Sequence, residues 1–276
     1  MNIPTTTLDV QGIRIPRLGF GTWELTGEEC RTAVTAALDV GYRHIDTAQA
    51  YGNEAAVGAA LRDASIPRDE LFVTTKVWRD DARAEAVRRT THESLGRLGL
   101  DHVDLLLLHW PVEEVPLEET LGAMVELMEQ GLTRRIGVSN FTPTLLSEAL
   151  RIAPIVANQV EHHPYLDQPE LRAMARDRDV AIIAYSPLAR GKVHEDETLR
   201  SLAQARGTTP EALTLRWLIG RPRVAAVPRS SNPEHIRSNF EALSLPLDDE
   251  ADRRLREMAE GRRLIDPSFA PRWEHA

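Results

Sequence analysis

The sequence predicts an α/β fold, a closed (β/α)8 TIM barrel. Eight short apolar runs alternate in strict order with helical patterns. The runs are apolar on both faces, as buried parallel strands are. The first run lacks the G-x-G-x-x-G spacing of an open doubly wound sheet, since Gly19-Phe20-Gly21-Thr22-Trp23 has too few glycines. At ~150 residues per domain the 276 residues would make two domains, but barrels often reach this length as one. Residues 1–276 are therefore read as a single barrel domain.

The elements follow in order. Thr5, Leu8 and Val10, then Ile13 and Ile15, flank Gln11-Gly12 as an N-terminal β-hairpin able to close the barrel bottom. The strands are Gly19–Thr22, His44–Asp46, Phe72–Lys76, Val103–His109, Ile136–Asn140, Val156–Val160, Ala181–Tyr185 and Ala225–Pro228. The first helix, Gly27–Val40, begins at Thr26 with Glu29 three residues on, a capping box. Its Ala33, Val34, Ala37 and Leu38 share one face. Helices Asn53–Ala64, Arg83–Leu98, Leu117–Gly131, Pro143–Ile152, Pro169–Arg178 and Pro210–Ile219 follow their strands. Two begin Thr-Pro, a cap and then proline at the first helical position. Pro233–Phe240 and Asp248–Ala259 come after the eighth strand.

Composition narrows the function. Apolar residues make up 42% of the chain, enough for a large core and against disorder. The net charge is −9 and no long basic block occurs, so no nucleic-acid partner is expected. Cys30 is the only cysteine, which excludes an intrachain disulfide framework. Met1 to Gly12 shows no secretory pattern, and the apolar run Leu105–Leu108 is far shorter than the ~20 residues of a membrane span. A cytoplasmic protein with no membrane partner is expected. Of the 33 basic residues only Lys76 and Lys192 are lysines. Where a chain that writes Arg by default keeps Lys in a buried-looking strand, chemistry is the better explanation.

Barrel active sites sit at the carboxyl ends of the strands. There the sequence places Asp46, then Tyr51 in the loop, Lys76, and His109. Each alone has a plain structural role: a turn cap, a packed loop aromatic, a core histidine. Together they make a specific set. A phenol titrates near ~10 and is a poor acid at neutral pH. A neighbouring ammonium lowers that value, and a carboxylate holds the ammonium in place. The tuned phenol can protonate a carbonyl oxygen while His109 orients it. Nothing in the set supplies hydride, so this chemistry requires a nicotinamide cofactor.

The segments Leu18–Trp23, Gly41–Ala48 with Tyr51-Gly52, Thr75–Trp78, Leu107–Pro111, Ile136–Phe141, Asn158-Gln159 and Tyr185–Leu188 resemble the aldo-keto reductase superfamily. The match spans essentially the whole chain in order. The short loops and the ending Arg263-Leu264 … Ala270–Glu274 are most similar to the bacterial 2,5-diketo-D-gluconate reductases of B type, which also reduce methylglyoxal. The resemblance implies that Asp46, Tyr51, Lys76 and His109 are a catalytic tetrad with Tyr51 the general acid. It implies that Tyr185 stacks on the nicotinamide and that Ser139, Asn140 and Gln159 hydrogen-bond its carboxamide. Thr22, Trp23 and Asp46 would line the nicotinamide side, and Ser186, Leu188 and Gly191 the pyrophosphate. The adenine end would lie along Arg229, Ser230, Asn232, His235 and Asn239, with the cap-and-proline start at Asn232-Pro233 offering free N–H groups to a phosphate.

Two departures matter. Where the family usually has Arg beside the 2′-phosphate, this chain has His235, and where it has Glu before Asn239, this chain has Ser238. Arg229 keeps a permanent charge, whereas an imidazole titrates. NADPH is the expected cofactor, with a narrowed margin and NADH also accepted. Trp23, Trp78 and Trp110, with Tyr51 and His109, are expected to wall the substrate pocket. Trp273 would join them from the C-terminal tail, which in this family folds over the active-site mouth. Arg190 and Lys192 read either as a pyrophosphate clamp or as solvated charges. Glu161-His162-His163 is not read as a metal site, because adjacent histidines diverge and no second ligand motif is near.

The expected reaction is reduction of small aldehydes, dicarbonyls or keto sugars by a monomer. Two rivals stay open. Lys76 could form the Schiff base of an aldolase, which borohydride trapping would reveal. The chain could instead be a catalytically weak nicotinamide-binding regulatory subunit, which steady-state turnover would exclude.

Overall fold

The computed structural model describes residues 6–274. Hairpin strands β1 (Thr7–Val10) and β2 (Ile13–Pro16) pair antiparallel, with Leu8 opposite Ile15. Thr5, counted in the hairpin from sequence, lies outside the described residues. Eight parallel strands follow: β3 (Phe20–Gly21), β4 (His44–Asp46), β5 (Phe72–Val77), β6 (Val103–Leu108), β7 (Thr133–Ser139), β8 (Ile155–Glu161), β9 (Ala181–Tyr185) and β10 (Val224–Ala226). They neighbour one another in chain order. The last seam closes where Leu18 bridges Ala226 in parallel. There Gly19 N donates to Ala226 O at 2.8 Å and Gly21 N to Pro228 O at 2.9 Å. Glycine is required at this seam. A Cβ on Gly21 would come within 2.8 Å of Val227 O, and one on Gly19 within 2.7 Å of the His44 ring.

Period-two alternation sorts the side chains into two cores. Leu105, Leu107, Ala157, Ile183 and Ala225 fill the barrel interior, together with Leu8, Val10 and Ile15 of the hairpin. The hairpin thus plugs one end of the barrel, as expected. Leu106, Leu108, Val138 and Ile182 point outward and pack under the helices with Val34, Leu121, Leu146 and Leu215.

The two Thr-Pro starts are true caps: Thr142 and Thr209 accept from Leu145 N and Ala212 N. Asn232 likewise accepts from Glu234 N at 2.9 Å. Thr26 departs from expectation, since its side chain caps nothing. Gly27, the first helical residue, has φ +49°, which turns the entering chain away from the capping geometry. Two helices escaped the sequence reading, Lys192–Glu195 and Glu197–Gln204. They fill the connection between β9 and the helix Pro210–Ile219. No helix among the described residues is long and apolar enough to cross a membrane.

Candidate active site

The inward alternation that packs the barrel also builds the site. Phe72, Thr74 and Lys76 share one face of β5, so the face that holds Phe72 in the interior core carries Lys76 toward the mouth. By the same count Leu105 and Leu107 on β6 are followed by His109, and Ala157 on β8 by Gln159 and Glu161. Asp46 ends β4. Tyr51 closes the single turn Gln49–Tyr51, which Gly52 terminates at φ +65°.

Lys76 is fully buried. Its Nζ donates to Asp46 Oδ1 at 2.6 Å, to Thr47 O at 2.8 Å and to Tyr51 Oη at 3.3 Å. The other Asp46 oxygen accepts from Gln159 Nε2 at 2.7 Å. The His109 ring meets Tyr51 edge-on at 5.7 Å and Trp78 at 5.2 Å. The structure therefore gathers all four residues singled out from sequence.

Electrostatics differ from expectation in one respect. The sequence reading has the ammonium pulling the Tyr51 phenol below its ordinary value. Burial raises it by more than Lys76 lowers it, so the net shift is upward. The phenol is a proton-loaded donor at neutral pH. Burial also opposes the charge on Lys76, but Asp46 and Tyr51 outweigh it and leave its pKa raised. His109 falls well below the ordinary imidazole value, through burial and then the Lys76 charge. It is a neutral ring at physiological pH.

A cavity of about 1650 Å³ opens over this set. Thr22, Trp23, Asp46, Tyr51, Asn140, Gln159, Tyr185, Ser186, Leu188, Gly191, Arg229, Ser230, Asn232, His235 and Asn239 all line it, as do Trp78, His109 and Trp110. Three expected residues do not line it. Lys76 lies beneath Tyr51. Ser139 sits behind the wall, where its hydroxyl donates to Gln159 O and accepts from Asn140 Nδ2. Trp273 packs behind Trp110, ring centroids 6.3 Å apart, under the Arg263 guanidinium at 3.6 Å. The tail instead offers Leu264, Ile265, Asp266, Pro267 and Phe269. Phe269 lies edge-on to Trp78 at 5.8 Å and to Trp110 at 5.4 Å. Sequence reasoning missed it because the tail has no periodicity to read.

The remaining polar wall is tied together. Tyr185 Oη donates to Asn140 Oδ1 at 2.7 Å, and Asn140 Nδ2 donates to His109 O at 3.0 Å. At the far end Arg229 Nε donates to Trp23 O at 3.2 Å, and Arg190 stands over the Trp23 ring at 4.8 Å. Lys192 is not a lining residue; it begins the short helix after Gly191. This cleft offers an aromatic face, two amides, permanent cations and a capped helix start in sequence along its length. That donor set fits a nicotinamide dinucleotide. Among the described residues no group of three metal-ligating side chains converges.

A model of the aldo/keto reductase family matches residues 17–260. The chain belongs to that family and is an oxidoreductase of the aldo-keto reductase class. Among its relatives is the methylglyoxal reductase DkgB of Escherichia coli O157:H7, 38% identical over 266 residues, covering 94% of this chain and 99% of that one. An aldo-keto reductase of Mycolicibacterium smegmatis is 40% identical over 265 residues, 95% of each chain. The crystal structure described as a 2,5-diketo-D-gluconic acid reductase B superposes with TM-score 0.94 at 41% identity, covering 98% and 97% of the two chains.

Proposed function

We propose that the protein is an NADPH-dependent reductase of small aldehydes, dicarbonyls such as methylglyoxal, and keto sugars, with Tyr51 as proton donor. The observation that carries this reading is the Lys76 ammonium, buried between the Asp46 carboxylate and the Tyr51 hydroxyl. Bound, the cofactor supplies hydride to the carbonyl carbon. Tyr51 gives its proton to the carbonyl oxygen as charge develops there, and Lys76 beside it stabilises the phenolate left behind. Asp46 fixes Lys76 as a cation. The neutral His109 ring directs an N–H toward the same oxygen and sets which carbonyl face is presented. Tyr185 offers its ring, held by Asn140, to the nicotinamide. Trp23, Trp78 and Trp110 exclude water around the reacting carbon, and the open apolar mouth suits several small substrates better than one large one.

Arg229 and the helix start at Asn232 support a preference for NADPH, and an imidazole at position 235, where the family usually has Arg, supports a narrow one. The reading carries with it a monomer acting in the cytoplasm. The raised pKa of Lys76 weighs against the aldolase alternative, since a Schiff-base lysine must be unprotonated to attack. The test is steady-state oxidation of NADPH and NADH with a panel of aldehydes, dicarbonyls and keto sugars. Turnover with NADPH in excess of NADH is expected. No turnover of any carbonyl would overturn the reading in favour of a nucleotide-binding subunit.

A further inference from the structure

Glu161 ends β8 with its side chain fully buried. A fully buried carboxylate is costly unless its oxygens are matched. Here both are. Oε1 accepts from Leu264 N at 2.7 Å and lies 2.9 Å from His163 Nε2. Oε2 accepts from Ile265 N at 3.1 Å and lies 3.7 Å from the Arg263 guanidinium. The backbone N–H groups come from the C-terminal tail, more than 100 residues away in sequence. Leu264 and Ile265 are the first two tail residues to line the cavity. Gln159, two residues earlier on the same face of β8, holds Asp46. Tyr185 is the register partner of Glu161 on β9. One strand end thus references the tail to the tetrad.

Other fastenings flank this one. Glu260 N and Arg262 N donate to Tyr165 O before it. Beyond it, Glu274 accepts from the Thr142 hydroxyl at 2.8 Å and from Thr144 N at 3.2 Å. Between Glu161 and Glu274 the chain carries Phe269 onto Trp78 and Trp110. An apolar side chain at position 161 would pack the barrel end at no desolvation cost but would leave Leu264 N and Ile265 N unpaired.

We propose that Glu161 is a positioning residue: its carboxylate clasps the tail so that Leu264 to Phe269 form a fixed wall of the carbonyl pocket and set how large a substrate is accepted. The kinetic side of this rests on the reductase reading above; the clasp itself does not. In Glu161→Gln the shape is kept, but an amide NH2 faces Ile265 N, donor against donor.

Two readouts test the clasp. The first is the rate of tryptic cleavage after Arg262, Arg263 and Arg272. The second is the split between KM and kcat for a small and a bulky aldehyde. In Glu161→Gln we expect faster cleavage of the tail and a carbonyl KM raised by about tenfold, the scale of one lost hydrogen bond. We also expect kcat within about twofold, an unchanged NADPH dissociation constant, and reduced discrimination between the two aldehydes. Should this variant fail to fold, Glu161→Asp keeps the charge with a shorter reach and is expected to move both readouts the same way. Parental cleavage rates overturn the clasp. Faster cleavage with parental KM and selectivity overturns the specificity role, as does a fall in kcat at constant KM. If the parent protein turns over no carbonyl, the reductase reading fails, and the proteolytic readout still decides the clasp.

Discussion

Gln159 Nε2 donates to Asp46 Oδ2 across the barrel at 2.7 Å, joining β8 to β4. These strands lie on opposite sides of an eight-stranded ring. Asp46 therefore has both oxygens committed, one to Lys76 and one to Gln159. The resemblance assigns Gln159 to a carboxamide; the structure adds a second duty, holding the carboxylate that holds the lysine.

Gln159→Met keeps the volume and deletes the donor. It should raise the NADPH dissociation constant and also lower kcat at saturating NADPH, each by about tenfold, the worth of one hydrogen bond to a charged partner. Nucleotide titration and saturating kinetics separate the two. A weaker nucleotide with unaltered kcat would show that the bond to Asp46 does nothing for the tetrad.

Lys76→Arg tests the use of lysine in an arginine-writing chain. The Lys76 side chain is fully enclosed, and its Nζ makes three contacts from one point. A planar guanidinium is bulkier and cannot reproduce them. Most activity should be lost, with NADPH binding measured alongside as a check on folding. Retention of more than half of kcat/KM, a loss under ~0.4 kcal/mol, contradicts the argument.

Much of this site was legible in the chain. Asp46, Lys76 and His109 are polar residues ending apolar runs, and the barrel topology brings such ends together whatever the loops do. Asn232-Pro233 and the Thr-Pro pairs carry their capping chemistry in adjacent letters. What was not legible depends on distance or depth. The direction of the Tyr51 shift depends on how deeply the ring is buried, which no local pattern reveals. Trp273 and Phe269 sit four residues apart in an aperiodic tail, and only the fold tells which of them faces the cavity. The Asp196 cap that starts Glu197–Gln204 was present in the letters, but the helix is too short for periodicity to mark it.

Acid should weaken the fold through His162. Burial lowers its pKa to about 4, against partial opposition from Asp167. An unfolded histidine titrates near ~6.5. Below that pH the unfolded chain takes up a proton that the native ring refuses, so stability falls as pH falls, until about pH 4. Between pH 6.5 and 5 the loss from this group is about 1.5 kcal/mol, because the unfolded ring is already half protonated at the upper end. Urea denaturation at those two pH values should show the parent losing about that much more than His162→Gln. Equal losses would mean that another group carries the acid sensitivity.

Cofactor choice should respond to position 235. His235 lines the cavity from the helix that Asn232 caps. His235→Arg installs a permanent charge, and a charge-assisted hydrogen bond is worth roughly 1.5–3 kcal/mol. The NADPH/NADH ratio of kcat/KM should rise by about tenfold or more, and Arg229→Gln should lower it. A ratio unmoved by His235→Arg would place the 2′-phosphate elsewhere.

The central claim is that Tyr51 delivers the proton from beside Lys76. Tyr51→Phe removes one oxygen and leaves the ring against His109. The most direct measurement is single-turnover oxidation of bound NADPH by a small aldehyde in this variant, with the NADPH dissociation constant determined on the same preparation. Unchanged nucleotide binding is predicted, with the turnover rate reduced by about 10² or more, the usual scale for loss of a general acid. A rate near that of the parent enzyme would contradict the account.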